Sequence, residues 1–148
     1  VTKLTIDKFS TYSDSWGYGY GYVHCGFRLA ETFLIQAEAL AMQDRIEEAR
    51  IILDRFKSAR YKSTYTIPTE KEALLQDIYR ERRKEFVAEG DYGWLDMKRL
   101  GLKAERTIGG ITFKLEGEGD YRYAFPIPQS EIDNNKEIRQ NPGWILNN

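Results

Sequence analysis

Three observations predict a mainly α domain. After residue 27, apolar residues recur at helical spacing in three successive stretches. Capping and turn residues separate those stretches at short intervals. Only two short runs, 111–115 and 121–125, are β-prone, so strands are expected in the C-terminal third alone. The architecture expected is a tetratricopeptide-like helical hairpin plus further helices, with a short β-hairpin or irregular loops in the C-terminal third.

Residues 1–26 form an aromatic and glycine-rich extended segment, where Gly17, Gly19, Gly21 and Gly26 interrupt any helix. The helical domain then occupies 27–148. Its first helix is expected over 27–42, with Leu29, Phe33, Ala37 and Leu40 on one face and Ala30, Leu34 and Ala41 widening it. Gln43-Asp44 reads as a turn, and Asp44 with Glu47 three residues on predicts a capping box for a second helix to about Tyr61. That helix should bury Ile46, Ala49, Leu53 and Phe56. The pair resembles one tetratricopeptide hairpin, but a single copy makes no repeat array.

Pro68 closes the next loop, and Thr69 with Glu72 repeats the capping pattern. A third helix is expected over 70–89, stopped by Gly90, and a shorter fourth over 94–100, stopped by Gly101. The runs 111–115 and 121–125, flanking Glu116-Gly-Glu-Gly-Asp120, are read as a hairpin or a long loop. A turn of helix at 129–134 and an irregular tail with a folding clasp at Trp144 complete the chain.

Composition narrows the function classes. With 22 basic and 23 acidic residues the 148-residue chain carries a net charge of -1, which supplies no nucleic-acid or polyanion footprint. Ten Tyr and three Trp are many, and rings serve cores as readily as sugar stacking. Cys25 is the only cysteine, so no internal disulfide framework exists; Tyr22-Val23-His24 before it lacks the apolar run of a lipidation site. His24 is the only histidine, which leaves a histidine metal site or catalytic dyad without its usual partners. No metal, cofactor or Walker-type phosphate loop is indicated. No stretch reaches the roughly 20 apolar residues of a membrane span.

The run ERRKEFVAEGDYGWLDMKRLG over 81–101 puts charge where core is due. Leu74 and Ile78 lie four apart, and the same stripe continues through Arg82, Glu85 and Glu89. Charges on a buried face need partners, and Arg28, Asp96 and Arg99 are candidates by type. Arg28, Arg82, Arg83, Glu85, Glu89, Asp96 and Arg99 are therefore expected to form a structural ion network. The other chemistry open to such residues is a glycosidase acid/base pair such as Glu81 and Glu85. Surrounding arginines and lysines argue against it, since they hold both carboxylates ionised. No catalytic residue is therefore assigned.

That run resembles the late signature of the SusD/RagB family, and three further segments agree in the family's order: RLAETFLIQAEAL at 28–40, FPIPQSEID at 125–133 and QNPGW at 140–144. One departure stands inside the signature: the interval from Gly90 to Asp96 is one residue longer than usual, and Tyr92-Gly93 occupies the usual arginine neighbourhood. The resemblance implies a cell-surface outer-membrane lipoprotein without enzymatic activity. Such a protein captures a glycan or oligosaccharide and delivers it to a SusC-like TonB-dependent receptor in nutrient uptake. It further implies that this chain is a C-terminal segment, with the lipid anchor outside it. The alternative from another class is a helical protein-interaction module that binds no sugar.

Two loops remain as candidate sites. Trp16, Tyr18, Tyr20 and Tyr22, with Tyr12 before them, could present rings to the apolar faces of sugars or pack on other parts of a protein. The 116–120 acidic run could offer oxygens to Ca²⁺, yet it lacks EF-hand spacing and reads more simply as a solvated tip.

Overall fold

A computed structural model of the chain describes residues 28–87 and 89–144. It is mainly helical, with five α-helices and a single two-stranded hairpin among the described residues. The chain divides between Arg82 and Arg83 into two units.

In the first unit α1 spans Leu29–Met42 and α2 spans Ile46–Ser58. The buried face of α1 is Ala30, Leu34, Ala37, Leu40 and Ala41, the i, i+3, i+4 pattern of one helical side. Leu29, expected on that face, is 74% exposed. The stripe is centred one position further round, on Leu34 and Ala37, because the alanines let α2 approach closely there. On α2, Ala49, Leu53 and Phe56 are buried as expected, and Lys57 joins them. The Arg55 guanidinium lies 5.5 Å from the Phe33 ring centroid, tying the two helices on their outer side.

The turn between them differs from the expected capping box. Asp44 takes φ +61°, in the left-handed region, and the N-cap of α2 is Arg45, whose side chain makes no capping bond. Asp44 instead accepts from Lys71 Nζ at 2.7 Å, and the same ammonium lies 3.3 Å from the Met42 carbonyl at the end of α1. A cation there also suits the negative end of a helix dipole. The positive end of α2 carries Glu47 and Glu48 in its first turn.

Helix α3 spans Lys71–Glu85, beginning in the first unit. Leu74, Asp77, Ile78, Glu81 and Arg82 are its buried residues, at i, i+3, i+4, i+7 and i+8. The expected extension to Glu89 does not form. Glu89 N–H bonds Phe86 O at 3.1 Å, a three-residue turn, while buried Phe86 stacks on Tyr92 at 4.4 Å.

The second unit continues with α4, Tyr92–Arg99. Gly101 ends it at φ +57°, with Gly101 N–H on Lys98 O and Leu102 N–H on Met97 O, the paired bonds of a Schellman motif. Strands β1, Ala104–Ile108, and β2, Ile111–Leu115, then pair antiparallel with Ile108 opposite Ile111. The short hairpin expected in the C-terminal third is thus present, but 111–115 pairs with 104–108 and not with 121–125. Gly109 and Gly110 at φ +57° and +80° make a two-residue turn whose twist matches the strands. Residues Tyr121–Tyr123 form a 3-10 turn instead of a strand. Helix α5, Gln129–Asn134, lies where expected and buries Ile132.

Candidate functional site

The four candidate ligand-binding residues, Trp16, Tyr18, Tyr20 and Tyr22, lie outside the described residues, as do Cys25 and His24. Two constructions remain for the described chain: a buried ionic cluster in the first unit and an aromatic stack in the second.

The cluster forms because α3 turns its buried stripe ionic and α2 supplies a cation at the matching level. Lys57 Nζ lies 2.8 Å from Asp77 Oδ2 and 3.9 Å from Glu81 Oε1, with the three side chains 4–6% exposed. Tyr61 donates its hydroxyl to Glu81, 2.8 Å from both carboxylate oxygens. The ammonium also faces the Tyr61 and Tyr65 rings at 5.6 and 5.4 Å. Arg80 approaches Asp77 from the surface at 3.5 Å. Tyr65 donates to Asp54 Oδ1 at 2.9 Å; desolvation, then that carboxylate, pushes its hydroxyl pKa up. Buried and held from both sides, the cluster is a brace between α2, the following loop and α3.

The expected network members are placed as follows. Arg82 is buried and pairs with Glu31 of α1 at 3.1 Å. Asp96 and Arg99 pair within α4 at 2.8 Å. Arg28 is half-buried as the N-cap of α1, and Glu85 and Glu89 are half-buried, each of the three with an interaction partner. Arg83 is exposed. Lys57, Asp77 and Glu31 are not singled out by the sequence pattern alone. Helical spacing still puts two of them on buried faces: Asp77 follows Leu74 at i+3, and Lys57 follows Leu53 at i+4.

In the second unit, Trp94 lies between Tyr123 at 5.2 Å and Phe125 at 5.5 Å, nearly parallel to the latter. Tyr123 is buried and its hydroxyl donates to Leu102 O. Trp144, expected to dock back on the helical body, donates Nε1–H to Ala124 O at 2.8 Å and meets Tyr121 edge-on, so it closes on the segment 121–124. Gln140 brackets Ile127, accepting from its N–H and donating to its carbonyl at 2.8 and 2.9 Å.

The acidic run 116–120 is bound up internally. Asp120 accepts from Arg122 Nε and Nη2, from Arg122 N–H and from Glu116 N–H. The Arg122 guanidinium, then the backbone donor of Glu116, holds its carboxyl well below the usual range. Among the described residues no group of three or more His, Cys, Asp or Glu could hold a metal ion. No described helix is long and apolar enough to cross a membrane.

Comparison with known proteins bears on what these elements serve. The family model described as the SusD family matches residues 1–144. SusD-like protein P38 of Formosa agariphila is 32% identical over 123 residues, covering 78% of this chain. The chain spans 23% of the length of that relative.

Proposed function

Since the chain belongs to the SusD family, we propose that it is part of a non-catalytic glycan-binding component of a nutrient-uptake system. The protein acts at the cell surface of an outer membrane, held by a lipid anchor. It delivers its oligosaccharide to a SusC-like, TonB-dependent receptor. The observation that carries this reading is the family match across residues 1–144.

Physical features agree with binding and delivery. The carboxylate Glu81, which could have served acid/base chemistry, is held by Tyr61 beside Lys57 in a buried brace. Sugar capture asks for flat rings with polar groups around them. Trp16, Tyr18, Tyr20 and Tyr22 are proposed as one such set.

The test is calorimetric titration of the intact native protein with a panel of polysaccharides. Saturable binding without release of reducing ends is expected, and Trp16→Ala should weaken it. Absence of binding across the panel would overturn the glycan reading and favour a helical protein-interaction module.

A further inference from the structure

A second ring surface belongs to the described residues, and side-chain hydrogen bonds hold the backbone that carries it. Phe125 is 71% exposed, yet hydrogen bonds from or to side chains pin the backbone on both sides of it. Trp144 Nε1 donates to Ala124 O, Asn141 Nδ2 donates to Phe125 O at 2.7 Å, and Gln140 holds Ile127. Pro126 between them fixes its own φ. The inner ring is equally constrained, because Trp94 is backed by buried Tyr123. Buried Tyr123 thus meets Trp94 at a tilt of 42°, and Trp94 in turn stacks at 20° on exposed Phe125.

We propose that Phe125, backed by Trp94, is a stacking platform for a pyranose ring; this rests on the glycan-binding reading above. A pyranose offers an apolar C–H face to a flat ring and hydroxyls around its perimeter. Asp91, the N-cap of α4, and Lys98 in its last turn are exposed at helical spacing from Trp94, three before and four after it, and would offer such hydroxyls an acceptor and a donor. A platform already held in place loses little conformational freedom when a ligand stacks, which favours affinity.

The experiment titrates the intact native protein with gluco-, xylo-, manno- and galacto-oligosaccharides, alongside thermal melts. For any sugar that binds, Phe125→Leu keeps apolar volume but removes the flat face, and should weaken affinity by roughly tenfold with an unchanged melt. Phe125→Tyr keeps the ring and should bind within about twofold of the parent. Undiminished binding by Phe125→Leu would overturn the platform alone, leaving the family reading intact. A lowered melt in Phe125→Leu with unchanged affinity would likewise overturn it, showing that another protein surface covers the ring. No binding of any glycan, polysaccharides included, by the parent protein would overturn both readings.

Discussion

Lys57 places its ammonium 2.8 Å from Asp77 and 3.9 Å from Glu81, so removing it takes a buried cation away from two buried carboxylates. Lys57→Met is expected to cost about 3–5 kcal/mol in urea unfolding, because uncompensated buried charge is expensive. Adding Asp77→Leu and Glu81→Gln should restore much of the loss, since the new amide oxygen still accepts from Tyr61. A cost for the single change below about 1 kcal/mol would mean that water reaches the cluster. Asp120 gives the pH counterpart. Its carboxyl is depressed in the folded chain by Arg122 and the Glu116 amide, so its contribution is fully present above the ordinary Asp value, about 3.9, and is lost as pH falls below it. Asp120→Asn should therefore flatten the acid limb of the stability profile; an unaltered limb would show that the Arg122 contacts do not persist in solution. At this scale the sequence marks the right helix, but the stripe through Arg82 is centred also on Asp77 and Glu81. Spacing from Leu53 puts Lys57 on the buried face of α2, but its partners lie 20 or more residues further along the chain, beyond local pattern.

Element boundaries are legible where a single residue type enforces them. Gly101 occupies the left-handed position that the Schellman end of α4 requires, and α5 begins directly after Pro128. Gly143, at φ +89°, is another: a Cβ there would come within 2.3 Å of the Tyr121 ring, the partner of Trp144. Gly143→Ala should lower the thermal midpoint and loosen the Trp144 clasp, read as a shift in indole fluorescence. The hairpin is harder to place, because the acidic run 116–120 competes with Gly109-Gly110 as a turn. Two glycines in succession are the stronger signal, since both central positions of this tight turn need φ > 0. Gly109→Val and Gly110→Val should each cost about 1–2 kcal/mol, whereas Gly109→Asn should be tolerated. Equal effects of Val and Asn at Gly109 in equilibrium unfolding would contradict that turn geometry. The α3 terminus escapes local pattern for a different reason: Phe86 finds Tyr92 only after the helix has ended.

For the molecule as a whole, the helical hairpin and its core follow from short-range order. Leu34, Leu53, Leu74 and Ile78 are fully buried, one or two from each helix of the first unit. Each such side chain contributes about 1.5–3 kcal/mol by leaving water, so Leu53→Ala should cost about 2–5 kcal/mol in urea unfolding. A cost under about 1 kcal/mol would place Leu53 outside a packed core. The family is readable in the motifs at 28–40, 81–101, 125–133 and 140–144, and the match over residues 1–144 agrees with them. The sequence by itself determined the helical class, the order of the helices and the ionic character of α3, because periodicity, caps and glycines act over one or two turns of chain. Only the tertiary structure decided which charges meet and which rings stack: Lys57 with Asp77, Arg82 with Glu31, and Trp94 with Phe125. Those choices depend on how elements distant in sequence pack. In the stripe over 81–101, packing joins Arg82 to α1, and it gives Glu81, at the stripe's first position, a lysine and a tyrosine hydroxyl that local pattern cannot select.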